Sequence, residues 1–293
     1  MKAFARRGIA AVRGLRYRRT RYPRPLGSRP RFALAVCGIF KNEARYLAEW
    51  VTFHRLQGAE RLWLYDNQSD DDWQTALAPE LASGVVTVTP WPHEAGQRAA
   101  YADCLERHRD DARWIAFLDA DEFLFSPTGR SLPDVLSAFD MHPGVVVNWR
   151  LFGSNGRQHP PEGLVIESYP IRAADDNPAN VLVKSVVYPR MTLGPFQSAH
   201  YFRLRGNPVG EDGRPVLLQT REPPTADLLR INHYYAKSAE EFRRKSRRPN
   251  PTDGMVQERF PDPEGAVRDD AILQFAPALK KALDARATSP SRV

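Results

Sequence analysis

No apolar run in this sequence approaches the ~18 residues of a membrane-spanning helix, so the sequence itself offers no span. Only two cysteines stand among 293 residues, which excludes a disulfide-stapled secreted scaffold. The 25 prolines and 18 glycines follow no triplet order, and no block recurs at a fixed period, which excludes collagen-like and repeat architectures. A glycine-rich phosphate loop of the dinucleotide or P-loop kind is missing too. Residues 1–31 contain no acid at all.

What is present fits a globular enzyme-sized chain. At 33.2 kDa, with 42% hydrophobic and 26% charged residues, the sequence suits one large domain or two small ones with a real core. The net charge of +7 is unevenly placed. Eleven of the 42 Lys and Arg fall in residues 1–31; the rest of the chain sets 31 bases against 35 acids. The basic character is thus a tail, not a folded face, which argues against a nucleic-acid partner. Residues 1–31 read as a flexible basic arm. The arm is either solvated or rests peripherally on an anionic membrane. It lacks the ~7–15-residue apolar core of a secretory signal, so the expected location is cytoplasmic, with membrane association through the arm as the variant.

From Phe32 the pattern alternates. Phe32–Cys37, Leu62–Tyr65, Val85–Val88 and Trp114–Leu118 are apolar runs of strand length. Between them lie helical stretches: one capped by Asn42 and stopped at Gly58, one started by Asp70 or Asp71 and ended near Gly84, and one over 97–111. Strands apolar on both faces and alternating with helices predict a mostly parallel sheet covered on both sides. Ligands of such sheets sit at the carboxyl ends of the strands. Those ends carry Lys41-Asn42-Glu43, then Asp66-Asn67-Gln68-Ser69-Asp70-Asp71, then Asp119-Ala120-Asp121-Glu122.

An Asp-x-Asp pair alone is weak evidence. At this Asp frequency about 1.4 such pairs arise by chance, and Asp70/Asp72 is another. Context separates Asp119/Asp121, because five apolar residues precede the pair and Phe123-Leu124-Phe125 follow it. Carboxylates packed together in apolar surroundings repel one another and lose hydration unless a cation joins them. A divalent metal gripping a diphosphate is the functional reading; a helix-capping acidic turn is the plain one.

The ordered set of motifs resembles glycosyltransferase family 92 and related bacterial proteins of the family-2-like, GT-A-fold group. The matching pieces are Cys37–Glu43, Glu49-Trp50 with His54, Tyr65–Asp71, Phe117–Phe123, Trp149–Gly156, Lys184–Val187 and Ile231–Tyr235. Lys237-Ser238 and Glu240-Glu241-Phe242 complete the set. The resemblance implies an α/β GT-A (Rossmann-like) domain with a mixed, mostly parallel sheet flanked by helices over 32–248; outside it, residues 249–293 read as a helical C-terminal extension. It implies a nucleotide-sugar donor, UDP-linked, with Mn²⁺ or Mg²⁺, and a glycan or lipid-linked acceptor. Characterised relatives transfer galactose with inversion.

On that reading Asp119 and Asp121 hold the metal, and His233 is the third ligand, an imidazole suiting Mn²⁺ better than Mg²⁺. Lys41, Asn42, Glu43, Asp66 and Asp119 line the nucleotide, and Lys184 either pairs with an anion there or snorkels outward. Trp149, Arg150 and Asn155 shape the acceptor pocket, and His200 is a second-choice ligand or acceptor contact. Inversion requires a general base. Glu167, at the end of strand-like Leu164–Ile166, leads Glu211, Asp212 and Asp176. Each of these residues also has a plain reading as a cap, a core side chain or a solvated acid. Ser238 and Glu241 form a capping box. The helix they start carries Arg243, Arg244, Lys245, Arg247 and Arg248, either a solvated basic face or a grip on a diphosphate or anionic lipid-linked acceptor. His54, Cys37 and Cys104 read as packing residues. Further strands are expected at Val145–Asn148, Val181–Val187, Tyr201–Leu204 and Val216–Gln219, and a helix over 266–284 that Pro277 bends. Two other functions remain open: a sugar-nucleotidyltransferase, which lacks its basic glycine-rich loop here, and a non-catalytic basic peripheral binding protein.

Overall fold

A computed structural model describes residues 29–94, 96–196, 198–246 and 266–288. Most of the basic arm, together with Arg247 and Arg248, lies outside the described residues. The strands are β1 (Phe32–Phe40), β2 (Arg61–Asp66), β3 (Val86–Pro90), β4 (Ala112–Phe117), β5 (Glu122–Phe125), β6 (Gly144–Leu151), β7 (Ile171–Arg172), β8 (Val183–Val187), β9 (Thr192–Phe196), β10 (Ser198–Leu204), β11 (Arg230–His233) and β12 (Val267–Arg268). The α-helices are α1 (Ala44–Leu56), α2 (Trp73–Ala76), α3 (Ala78–Ala82), α4 (Gln97–Arg107), α5 (Leu132–Leu136), α6 (Val165–Ser168), α7 (Ala239–Ser246) and α8 (Ala276–Thr288).

Eight strands form one sheet in the order β3-β2-β1-β4-β8-β6-β11-β5. Six run in one direction, while β8 and β5 run against their neighbours. This is the α/β, mostly parallel, helix-flanked arrangement expected of a GT-A domain. Its polarity places the site. The carboxyl ends of β1, β2, β4, β6 and β11 share one edge, and the reversed β8 and β5 bring their first residues to that same edge. Lys184 and Glu122 thereby arrive beside the strand ends.

Side-chain alternation along β1 explains the two-sided core. Leu34 and Val36 join Trp50, Val51 and Phe53 of α1 on one face. Ala35, Cys37 and Ile39 join Ala100, Tyr101 and Cys104 of α4, with Phe202 of β10, on the other. Both cysteines are free and buried, and burial pushes the Cys37 thiol well up. His54 is a core residue: its Nδ1 lies 2.8 Å from Trp50 O, and its Nε2 accepts the Leu124 amide at 3.2 Å. Burial pushes it down to about 4, so it stays neutral.

Several expected boundaries move. Asn42 does not cap α1. It sits at φ +55°, and its Oδ1 accepts the Asp70 amide at 2.9 Å. The α1 terminus is instead served across the loop by Asp71, whose Oδ2 accepts the Ala44 amide at 2.7 Å. Gly58 does stop α1, at φ +101°, where a Cβ would come within 2.6 Å of Pro133. The next helix is capped by Asp72, not by Asp70 or Asp71, and splits into α2 and α3 around Leu77, with Pro79 in the first turn of α3. Leu164–Glu167 is not a strand: Val165–Ser168 is the single turn α6. Residues 216–219 form no strand, only flanking bridges at Pro215 and Thr220. Pro277 opens α8 rather than bending it, after a 3₁₀ turn at Ala271–Phe275. Position two of a helix needs no backbone donor, so proline is accommodated there. Among the described residues no helix is long and apolar enough to cross a membrane.

Two long-range ties close the fold. Glu49, buried on α1, accepts the amides of Val165 and Ile166 at 2.8 and 3.2 Å and so caps α6 from below. Helix α8 buries Leu279 completely in the same core as α1, and its Arg286 pairs with the buried Glu80 at 2.6 Å.

Leu279→Ala is expected to cost about 2–5 kcal/mol of unfolding free energy. Urea unfolding should show it in one transition with an unchanged slope; a separate early transition would mean that α8 does not share the core. Burial drives the Glu49 carboxyl up to about 7, opposed by the two amides it accepts. Between an unfolded value near ~4.3 and about 7, the folded chain holds a proton that the unfolded chain lacks. Its contribution is present below that window and is lost as pH rises through about 7. Glu49→Gln should therefore shrink the fall in urea midpoint between pH 4.5 and 7.5, and an unaltered fall would contradict the assignment.

Candidate active site

The centre of the site is the turn that links β4 to β5. Within it the Glu122 amide donates to Asp119 O at 3.0 Å, and the Asp119 amide donates to Glu122 Oε2 at 2.9 Å. The turn thus closes on itself and crowds three carboxylates together. Asp121 and Glu122 are 5% and 0% exposed. Such crowding requires opposite charge close by, and the structure supplies it from two directions.

Lys184 comes up from β8, fully buried, with Nζ 2.8 Å from Asp119 Oδ2 and 3.2 Å from Glu122 Oε2. So Lys184 does pair with an anion, but the anion is the protein's own. Gln97 Nε2 donates to Asp119 Oδ1 at 2.5 Å, and Tyr101 reaches the same oxygen at 3.4 Å. Burial alone would raise the Asp119 carboxyl, but the Lys184 charge overrides it and holds it below its usual range. Glu122 lacks such full compensation, and burial carries it up to about 7.

Asp121 faces other partners. Its Oδ2 lies 2.5 Å from Lys245 Nζ. Its Oδ1 has no hydrogen bond and looks at His233 Nε2 from 3.4 Å. Burial opposes the charge on Asp121, yet Lys245, then His233, hold its carboxyl well below the ordinary value. His233 ends β11 opposite Glu122 and packs against Trp149, ring centres 4.5 Å apart, and against Tyr235 at 5.5 Å. Among the described residues no three His, Cys, Asp or Glu side chains are assembled as a ready metal cluster. Asp121 and His233 converge, while Asp119 is turned to Lys184 and Gln97.

The neighbouring strand ends form the rim. Asp66 Oδ1 accepts the Ser69 amide at 2.9 Å, shaping its own turn after β2. Asn42 staples the β1 loop to that turn, donating its amide to Ser69 Oγ at 2.9 Å. Glu43 pairs with Lys237 Nζ at 2.8 Å, and that ammonium lies over the Tyr46 ring. Lys41 stands half-buried at the end of β1. Trp149 donates Nε1 to Ala179 O at 2.6 Å and holds His200 edge-on at 5.4 Å. The His200 Nδ1 is buried without a partner, and burial followed by the Lys184 charge pushes the ring down to about 4.

The structure does not bring the remaining sequence candidates to this point. Arg150 follows Trp149 on β6 and therefore points to the other face of that strand. There it joins Arg172, Asp175 and, through Arg172, Asp269. Both Asn155 amide hydrogens are engaged by Gly153 O and Ile171 O, and its Oδ1 accepts the Ile171 amide at 2.7 Å, so this amide builds a loop. Glu167, on the single turn α6, pairs with Lys280 of α8 at 2.7 Å. Glu211 accepts the consecutive amides of Asp227, Leu228 and Leu229 as a loop clamp. Asp212 pairs with Arg221 at 2.8 Å, and Asp176 is exposed. None of these four carboxylates is directed at Asp121.

Three site residues carried too little local signal to be singled out as such: Gln97, Tyr101 and Lys245; Glu122 was legible only as a member of the acidic cluster. Lys245 was readable only as one charge in a basic cluster. The capping box beside it does form, with Ser238 Oγ accepting the Glu241 amide at 3.3 Å and the Ser238 amide reaching Glu241 Oε2 at 3.0 Å.

Residues 31–192 match the family model described as Glycosyltransferase family 92. A glycosyltransferase family 92 protein of Oryza sativa subsp. japonica is 32% identical over 220 residues, covering 73% of this chain and 35% of the rice protein. One from Ricinus communis is 30% identical over 217 residues, covering 72% of this chain and 37% of its own. The chain therefore spans about a third of the length of these curated relatives. Among solved structures, S. aureus TarS 1–349 superimposes with a TM-score of 0.34 and 19% identity, covering 44% of this chain and 39% of that one. A family match across more than half of the sequence, joined to a rice relative at 32% identity over 73% of it, shows that the chain belongs to glycosyltransferase family 92.

Proposed function

We propose that the protein is a metal-dependent inverting glycosyltransferase that takes a sugar from a nucleotide-diphosphate donor, UDP-linked, and passes it to a glycan or lipid-linked acceptor. Family membership supports transfer of a sugar. One observation supports the metal: the buried Asp121 Oδ1, without a hydrogen bond, faces an imidazole nitrogen at the carboxyl edge of the sheet. A carboxylate oxygen and an imidazole nitrogen left facing each other fit a hard-to-borderline divalent cation, Mn²⁺ better than Mg²⁺.

Asp121 and His233 would hold that cation, while Asp119, expected from the sequence as a ligand, has both oxygens engaged by Lys184, Gln97 and Tyr101 and stands beside them as framework. Bound there, the cation would neutralise negative charge developing on the departing diphosphate. The chain's own residues do the remaining work. Lys184 and Gln97 fix the orientation of Asp119. The Asp66 turn and the Asn42 staple set the loops at the β1 and β2 ends, where the nucleoside half of the donor would lie. Trp149 and Tyr235 flank His233 and set its ring plane. His200, held neutral, presents an unpartnered Nδ1 beside them. Inversion needs a proton acceptor for the incoming hydroxyl, and Glu167, Glu211 and Asp212 are all committed elsewhere in this arrangement. Contact of the basic arm with an anionic membrane belongs to the same proposal, since a lipid-linked acceptor would lie at such a surface.

Calorimetric titration with UDP, with and without Mn²⁺, tests the reading. Binding should require the metal, and Asp121→Asn should weaken it by roughly a hundredfold, the equivalent of ~2.7 kcal/mol, while the far-UV dichroism stays that of the parent. UDP binding that ignores both the metal and the substitution would remove the assignment.

A further inference from the structure

Two lysines neutralise the acidic turn, and they are built differently. Lys184 is 1% exposed, rises from the middle of the sheet, and touches two carboxylates at once. It cannot leave without stranding both. Lys245 is 39% exposed at its side chain and, of the three carboxylates, pairs with Asp121 alone, which is 7% exposed. It stands in the last turn of α7, donates weakly to Tyr235 O at 3.3 Å, and lies over the Tyr235 ring at 3.9 Å. The first turn of that helix is anchored by the Ser238–Glu241 capping box and by the Tyr46 hydroxyl on Glu241. The lysine can therefore move through its own side-chain torsions while the helix stays fixed.

An ammonium 2.5 Å from Asp121 Oδ2 and a divalent cation on the same carboxylate would repel each other strongly in this buried setting. The two occupants exclude one another. We propose that Lys245 is an exchangeable internal counter-ion: it neutralises Asp121 in the ligand-free protein, yields that carboxylate to the divalent cation, and then serves the donor's diphosphate. The proposal rests on the reading of Asp121 as a metal-holding residue. Its physical content is charge conservation within the site. Without the lysine, the ligand-free protein would hold Asp121 buried beside only an imidazole, a costly arrangement. With the lysine immobile, the cation could not bind. A flexible, partly exposed lysine side chain meets both requirements, and once displaced it would be free to serve the diphosphate. The aromatic face of Tyr235 offers it a resting place along that path.

The test uses the full chain and two probes, Mn²⁺ alone and UDP with saturating Mn²⁺. Mn²⁺ binding is read by the loss of the free-ion electron paramagnetic resonance signal, and UDP binding by calorimetry. Lys245→Met should bind Mn²⁺ on the order of tenfold more tightly than the parent when no nucleotide is present, and UDP on the order of tenfold more weakly when metal is saturating. Lys245→Arg, which keeps the charge, should stay near the parent in both. The metal-free Lys245→Met protein should melt below the parent, and Mn²⁺ should raise its melting midpoint further than it raises the parent's. Lys245→Gln provides the same comparison if the Met variant folds poorly. Mn²⁺ affinity that is unchanged or weaker in the neutral variants, in a parent that does bind UDP with metal, overturns the counter-ion proposal alone. A parent that binds neither Mn²⁺ nor UDP overturns the metal reading itself, and this proposal with it.

Discussion

Crowded negative charge in a water-poor place is the constraint around which this protein is arranged. Asp119, Asp121 and Glu122 lie within four residues, and the last two are almost fully buried. Left alone, such carboxylates would protonate or the turn would open. The fold prevents both by delivering two ammonium groups and an imidazole from three separate parts of the chain: Lys184 from β8, His233 from β11 and Lys245 from α7. The partition is uneven. Asp119 and Asp121 are held ionised, whereas Glu122 is left with a carboxyl pushed up to about 7. A turn with two firm charges and one negotiable one can accept a cation without its own charge becoming prohibitive.

The sheet topology makes this delivery possible. A purely parallel sheet would bring only strand carboxyl ends to the edge, and Lys184 would sit at the opposite side. Because β8 runs against β4 and β6, its first turn of sequence lies at the site edge. The same reversal in β5 sets Glu122 directly opposite His233. The two antiparallel strands are thus the elements that turn a general α/β edge into a charged pocket. The hydrophobic core anchors it from behind: Trp50 donates its indole N–H to Glu122 O at 2.8 Å, tying the site to the heart of the α1 layer.

Much of the parallel half was legible in the sequence because its signals are local. Four apolar runs between helical stretches mark β1 to β4, and the acidic clusters after them mark strand ends. What was not legible depended on distance. Asn42 reads locally as a helix cap, yet the competing partner that wins, Asp71, lies 27 residues beyond the Ala44 amide it accepts. Glu167 reads as the end of a strand because Leu164–Ile166 are apolar, but Glu49 caps that segment from another helix and the chain turns once instead. Glu211 and Asp212, between two glycines, look like a mobile acidic turn; three backbone amides and Arg221 make them a clamp. Arg150 and Trp149 are adjacent in sequence and similar in motif context, but pleating sends them to opposite faces. Lys245 sits among other basic residues in a short amphipathic helix, and nothing in that pattern singles out the one lysine whose partner is 124 residues away.

That last case separates two meanings of a buried ion pair. Replacing a pair such as Lys184 with Asp119 and Glu122 by apolar groups of equal volume is often neutral for stability, so its presence says little about stability and more about orientation. It fixes one oxygen of Asp119 while Gln97 and Tyr101 fix the other, and the carboxylate is left with a single setting. Asp121 is the opposite case. Only one of its oxygens is taken, by a group that reaches in from partly exposed ground, and the other has no hydrogen-bond donor. Two neighbouring aspartates with the same charge thus differ in freedom, and it is the more deeply buried one that is less tied. One serves as fixed framework, and the other keeps an oxygen without a hydrogen-bond donor at the strand edge where ligands of this sheet type bind.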